Sequence, residues 1–171
     1  MRKFGLPPIV DEKTEILILG TLPSDASLTK RQYYANSGND FWKLIGASLH
    51  ENLEGLSYES KIETLKTYRI GLWDAYHNCI RKGSMDENIG EQELNDFTLL
   101  RAIAPRLKLI CINGKEARTA EDSLHGLGYK TLALLSSSGA NRGRQKERLS
   151  QWKSSVVVRP KTAPSVTEFL E

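Results

Sequence analysis

Four short apolar runs, each closed by glycine or a polar residue and each followed by a stretch with helical spacing, constrain this chain most. They lie at Glu15 to Gly20, Ile70 to Ala75, Leu107 to Ile112 and Thr131 to Leu135. Continuous rather than alternating apolarity over so few residues reads as a strand buried on both faces. Between the runs, Phe41, Trp42, Leu44, Ile45 and Leu49 recur at helical spacing. Ser60-Lys61-Ile62-Glu63 matches a capping box that opens a helix through Tyr68. Phe97, Leu99, Leu100 and Ile103 mark another helix, stopped by Pro105, and a further one spans Lys115 to about Leu127. A last helix sets Leu149, Trp152 and Val156 on one face and basic residues on the other.

Strands alternating with helices predict an α/β fold of three layers, α/β/α, around a mostly parallel four-stranded sheet. Ligands bind beyond the carboxyl ends of such strands. Those ends are Gly20, Asp74, Asn113 and Ser136, and each opens a polar or glycine-containing segment. The site is expected where the four segments meet.

With 171 residues and no internal repeat, one domain over 1–171 is expected, with a lead-in over 1–14 and a loose tail over 160–171. No apolar run reaches the roughly 18–20 residues of a membrane span, and the first residues carry no apolar signal core. Cys79 and Cys111 are too few for a disulfide framework, a zinc site or a four-cysteine iron–sulfur cluster. His50, His77 and His125 form no metal-ligand spacing. The expectation is a cytoplasmic monomer that uses no metal or cofactor.

Charge is divided along the chain. Residues 1–100 carry a net −4 and residues 101–171 a net +7. Arg142, Arg144, Lys146, Arg148 and Lys153 face only Glu147, the kind of footprint a phosphate backbone attracts, although for charge alone a solvated helix face is the better explanation.

Gly20 to Trp42 is long for a connection inside a compact domain, and such loops are functional or disordered. Its tyrosines, Phe41 and Trp42 argue for order. No Walker-type glycine loop, metalloprotease His-Glu-x-x-His or hydrolase serine elbow occurs, and Ser136 to Ser138 have no identifiable base. Amides, aromatics and backbone donors suit a reaction that positions water and stabilises charge.

Gly20-Thr21-Leu22-Pro23-Ser24 with Ser27-Leu28, then Tyr33-Tyr34-Ala35 and Asn39-Asp40-Phe41-Trp42, resembles the first motif of the uracil-DNA glycosylase superfamily. Gly71 to Asp74, Arg81 to Asp86, Asn95 to Phe97, Asn113-Gly114 with Ala117, and Ser136 to Asn141 continue the resemblance in order over about 15–155. It is nearest to the hypoxanthine-DNA (deoxyinosine) glycosylases.

The resemblance implies monofunctional hydrolysis of an N-glycosidic bond in base excision repair, with damaged DNA as partner and hypoxanthine as the preferred base; a uracil- or mismatch-directed glycosylase of the same superfamily and a catalytically silent nucleic-acid-binding module are the alternatives. A base must be extruded from the duplex to be reached. Tyr34 then matches the stacking aromatic and Asn39 the water-positioning amide, although asparagine ahead of Phe41 also suits a helix cap. Gly20, Leu22 and Pro23 shape the pocket, and Asn113 lies near the base edge unless Asn-Gly is only a turn. Asp74 orients a neighbour or caps the next segment. Ser136, Ser138, Gly139, Ala140, Asn141, Arg142 and Arg144 resemble the loop that grips flanking phosphates, with Ala140 at the wedge position. Leu22 replaces the asparagine of mismatch-directed relatives, and Gly139 replaces a proline.

Overall fold

The structure, a computed structural model, describes residues 1–156; the side chains of Glu87 and Arg142 and the tail expected over 160–171 lie outside the described residues. In chain order the strands are Arg2–Phe4 (β1), Ile16–Gly20 (β2), Ile70–Asp74 (β3), Tyr76–Arg81 (β4), Ile89–Leu94 (β5), Leu109–Asn113 (β6) and Thr131–Leu134 (β7). The α-helices are Asp25–Lys30 (α1), Phe41–Leu49 (α2), Tyr58–Thr67 (α3), Leu100–Ile103 (α4), Glu121–Gly126 (α5) and Gln145–Ser155 (α6).

The central sheet has the order β3-β2-β6-β7, and every pairing in it is parallel. Alternation within β2 divides the core. Ile16 and Ile18 pack with Phe41 and Ile45 of α2, Leu65 of α3 and Trp152 of α6. Leu17 and Leu19 pack on the other face with Leu100 of α4, Leu124 of α5 and Phe97. Both faces are thus covered, and the four residues are 8% exposed or less. Each such side chain contributes about 1.5–3 kcal/mol of burial, which is why the run is apolar at every position.

Several local expectations are corrected. Helix α3 is capped by Ser57, whose hydroxyl accepts from Ser60 N at 3.2 Å, so it begins a turn before the Ser60 box. The long first loop contains α1, capped by Ser24 accepting from Ser27 N at 3.2 Å and ended by Arg31 in the left-handed region (φ 54°). Residues 1–14 are more than a lead-in: β1 joins a second, antiparallel sheet of order β1-β4-β5, and Ile9 bridges Leu72. The segment read as a polar connection at 81–86 follows directly on β4 of that sheet. Exposed positions of β5 are glycine or polar, β4 buries Asn78 and Arg81, and the apolar contact is small, such as Cys79 against Leu22 and Tyr76.

The last helix is also not divided into an apolar and a basic face. Arg148 is 2% exposed, inside the structure alongside Trp152 and Val156.

Candidate active site

The carboxyl ends of β2, β3 and β6 and the segment after β7 enclose a cavity of about 530 Å³ lined by Gly20, Asp74, Asn113 and Ser136. The size suits a small-molecule or single-nucleotide ligand. Tyr34, Asn39, Leu22, Pro23, Ser138, Gly139 and Ala140 also line it. Asn141 and Arg144 are not among the described lining residues and continue the adjoining turn, Gly139–Arg144.

Gly20 is dictated by close approach. A Cβ there would sit 2.5 Å from Asp74 Oδ1 and 3.1 Å from Tyr34 Oη, so these two side chains use the space a larger residue needs. Tyr34 has φ 53°, a left-handed value strained for an aromatic residue. Its ring is stacked on Phe41, with centroids 3.7 Å apart and planes 9° from parallel. Phe41 is itself held edge-on by Trp42 and Trp152. Tyr33 is in the core, donating its hydroxyl to the carbonyls of Leu6 (3.2 Å) and Pro7 (3.0 Å).

Asn113 connects three segments. Its Nδ2 donates to Tyr34 Oη at 3.2 Å and Ser137 Oγ at 2.9 Å, while its Oδ1 accepts from Ser137 N at 2.9 Å. Both amide hydrogens are therefore committed within the protein. Asn39 Oδ1 accepts from Phe41 N at 2.9 Å, a local turn; the helix-cap alternative for this residue is corrected, since the N-cap of α2 is Asp40. Its Nδ2 has no protein acceptor among the described residues, and the residue faces the cavity.

Leu22 packs its side chain into the cluster with Tyr76 and Cys79, and Pro23 is buried next to it. Both carbonyls are held by Arg81, whose side chain is fully buried. Arg81 donates to Leu22 O at 3.4 Å, to Pro23 O and, through Nε, to Gly83 O at 3.1 Å. The second sheet thus fixes the first motif from below. Nothing in the local sequence distinguishes Arg81 from a surface arginine; only the partnering of β4 buries it.

Asp74 is 4% exposed, and its Oδ2 has no hydrogen-bond partner among the described residues. Burial, followed by the negative charge of Asp86, raises its pKa to about 7, with Arg81 opposing. Asp86 also lines the cavity, bonds Thr21, and has a raised pKa chiefly from burial. Burial and Asp74 likewise raise Tyr34, so its phenol is neutral at working pH. Asp86 had no assigned role in the sequence reading.

The Ser136 to Arg144 segment is shaped by its own side chains. Ser138 N donates to Ser136 Oγ (3.1 Å), Asn141 Nδ2 to Ser136 O (3.4 Å), and Ala140 is exposed at the tip. Arg148 reaches under the loop to Ser136 O (3.1 Å), Ser138 O (3.2 Å) and the Asp40 carboxylate. Asp40 N in turn donates to Ser137 O at 2.9 Å, so the first and last motifs are stitched together. Arg144 is exposed and chelates Glu147, with Nε to Oε2 at 2.7 Å. Among the described residues no group of three or more His, Cys, Asp or Glu could hold a metal ion, and no helix is long and apolar enough to cross a membrane.

Comparison with known proteins gives the family of the chain. The profile described as the uracil DNA glycosylase superfamily matches residues 7–158. The chain belongs to the uracil DNA glycosylase superfamily. A superfamily relative from Methanosarcina acetivorans named hypoxanthine DNA glycosylase is 53% identical over 154 residues, 90% of this chain and 98% of the relative. A second, of the same name, from Methanosarcina barkeri is 49% identical, covering 89% and 96%. A solution NMR structure of a candidate uracil DNA glycosylase from Methanosarcina acetivorans superposes with a TM-score of 0.84 at 52% identity, covering 91% of this chain and 97% of that one. The three-layer parallel fold expected from the strand pattern is the fold of this superfamily member.

Proposed function

We propose that this chain is a monofunctional DNA glycosylase that hydrolyses the N-glycosidic bond of a flipped deaminated base, with hypoxanthine preferred, to begin base excision repair. One observation carries the reading. A cavity at the strand ends is backed by the stacked Tyr34 and Phe41 and bordered by the Ser136 to Arg144 turn, in a chain about half identical to two proteins named hypoxanthine DNA glycosylase.

In this reading the extruded base lies on Tyr34, and stacking offsets ~1–3 kcal/mol of the unstacking cost. Phe41 behind it and Asn113 at its hydroxyl hold the ring in its strained conformation, so Asn113 acts through Tyr34. Gly20, Leu22 and Pro23 form the pocket wall, their backbone fixed by Arg81. Asn39 positions the attacking water. An amide is a weak base, so its contribution is orientation, and the turn to Phe41 N fixes its carbonyl while leaving Nδ2 available. Ser136, Ser138, Gly139 and Asn141 offer backbone and side-chain donors to phosphates, Ala140 is the wedge, and Arg142 and Arg144 add charge. The chain works as a cytoplasmic monomer of one domain over 1–171, without metal or cofactor.

Duplexes carrying a single hypoxanthine, uracil or xanthine, incubated with the protein and then treated with alkali, test the reading. Strand scission at hypoxanthine above that at the others is expected. Binding with no scission at any lesion would mark a silent DNA-binding module instead.

A further inference from the structure

The cavity holds a feature the reaction scheme above leaves unused. Asp74 lines it, is 4% exposed and has a buried Oδ2 with no partner among the described residues, while its main chain is fixed by Asn95 Nδ2 on Asp74 O at 2.9 Å. A buried carboxyl oxygen left unpaired costs free energy unless something else satisfies it. The titratable groups around it explain why it keeps a proton. Asp86 repels an ionised Asp74, Arg81 attracts it, and the phenols of Tyr34 and Tyr33 lie close enough to be raised by it. Arg81 is already occupied by the carbonyls of Leu22, Pro23 and Gly83 and by Asp86 at 3.6 Å. Lys115, at the rim, is 89% exposed and paired with Glu116 at 3.5 Å.

This charge set bears on how a base can depart. A base leaving with the bonding pair becomes an anion, and a cavity lined by Asp74 and Asp86 disfavours negative charge. A base protonated as it leaves is neutral and meets no such penalty. Purines offer ring nitrogens for that proton; the uracil ring, bonded at N1 and carrying its proton at N3, offers only weakly basic carbonyl oxygens.

We propose that Asp74 is the general acid of the reaction, donating its carboxyl proton to a ring nitrogen of the departing purine, and that this selects hypoxanthine over uracil. The step rests on the glycosylase reading above. The C1′–N9 bond breaks with its electron pair going to the base, and the Asp74 proton moves to N7 or N3. The base leaves neutral. Water placed by Asn39 bonds to C1′, and the proton it sheds restores Asp74, directly or through solvent. Asp74 being protonated up to about pH 7 fits this duty.

The test compares wild type, Asp74→Asn and Asp74→Glu on duplexes containing deoxyinosine. Removing a general acid costs ~10²–10⁴ in rate. At pH 6, Asp74→Asn is expected to cleave at least ~100-fold more slowly, and Asp74→Glu to recover part of the loss. Wild-type kcat/KM should fall as pH rises past about 7, and that limb should be absent from Asp74→Asn. Affinity for a duplex bearing non-cleavable 2′-fluoro-deoxyinosine should change less than 5-fold, which a merely structural role would not predict. Carbon-13 NMR titration of the wild-type Asp74 carboxyl supplies a readout independent of any variant, and ionisation already at pH 5 overturns the assignment. So does an Asp74→Asn rate within 5-fold of wild type, a retained alkaline limb, or an affinity loss matching the rate loss. If wild type cuts no lesion, the glycosylase reading falls and this inference with it; if wild type cuts and Asp74→Asn is unimpaired, only this inference falls.

Discussion

Replacing Arg148 with alanine tests the idea that one buried cation holds the two halves of the site together. Its side chain is 2% exposed and that of Asp40 is 20% exposed. Truncation leaves the carbonyls of Ser136 and Ser138 and the Asp40 carboxylate without their donor. Breaking a buried ion pair from one side costs ~3–5 kcal/mol. Two facts favour the lower end. Asp40 retains some access to water, and Arg148 Nε has no partner among the described residues, so the native arrangement already bears a desolvation cost. The expected loss is therefore about 3 kcal/mol, which for a chain of this size lowers the Tm by roughly 6–12 °C. Urea unfolding of wild type, Arg148→Ala, Asp40→Ala and the double variant at pH 7 measures it. The two substitutions should be non-additive by more than ~1 kcal/mol, because removing either leaves the other charge unpaired. Arg148→Lys should recover only part of the loss, since an ammonium cannot present the same fork to several oxygens. A loss below about 1 kcal/mol for Arg148→Ala would refute the reasoning and return Arg148 to the solvated surface.

Asn39→Ala should reduce hypoxanthine release by at least ~100-fold with DNA affinity nearly unchanged, as single-turnover cleavage and fluorescence anisotropy will report; equal losses in both would make Asn39 a binding residue. Gly20→Ala drives a methyl group against Asp74 and Tyr34, and an overpacking cost of ~1–3 kcal/mol should appear in thermal melts together with loss of cleavage. Because Asp74 has its pKa raised to about 7 in the fold, the folded chain binds a proton that the unfolded chain has released between about pH 4 and 7. Stability therefore falls as pH rises through that window, by on the order of 4 kcal/mol, and levels off above it. Asp74→Asn should flatten this slope and be more stable than wild type at pH 7.5; parallel stability–pH curves would contradict it. Glu147→Ala frees Arg144 and should tighten DNA binding, whereas Arg144→Ala should reduce the salt slope by about 1. An unchanged slope in both places Arg144 outside the phosphate track.

The central sheet and the location of the cavity were legible in the sequence because both follow from local signals. A parallel strand covered on both faces must be apolar at every position, as β2 is, and chain reversal after such strands needs the glycine and polar residues that follow. The Gly20 to Trp42 stretch carried its own evidence of order in its aromatics, and Phe41 and Trp42 are indeed core. What only the tertiary structure decided concerns charged and polar residues. The second sheet escaped notice because half-exposed strands such as Ile89–Leu94 have no apolar run, and their stability comes from pairing with β4. Arg148 and Lys146 are both basic positions on one helix, yet one is buried and the other exposed. Their difference depends on which carbonyls and carboxylates from distant segments meet each side chain, and that partnering is a property of the assembled fold. Asp74 is the same case with opposite sign: any strand can end in aspartate, but only the closing of β2, β3 and the Asp86 segment around it keeps its proton on.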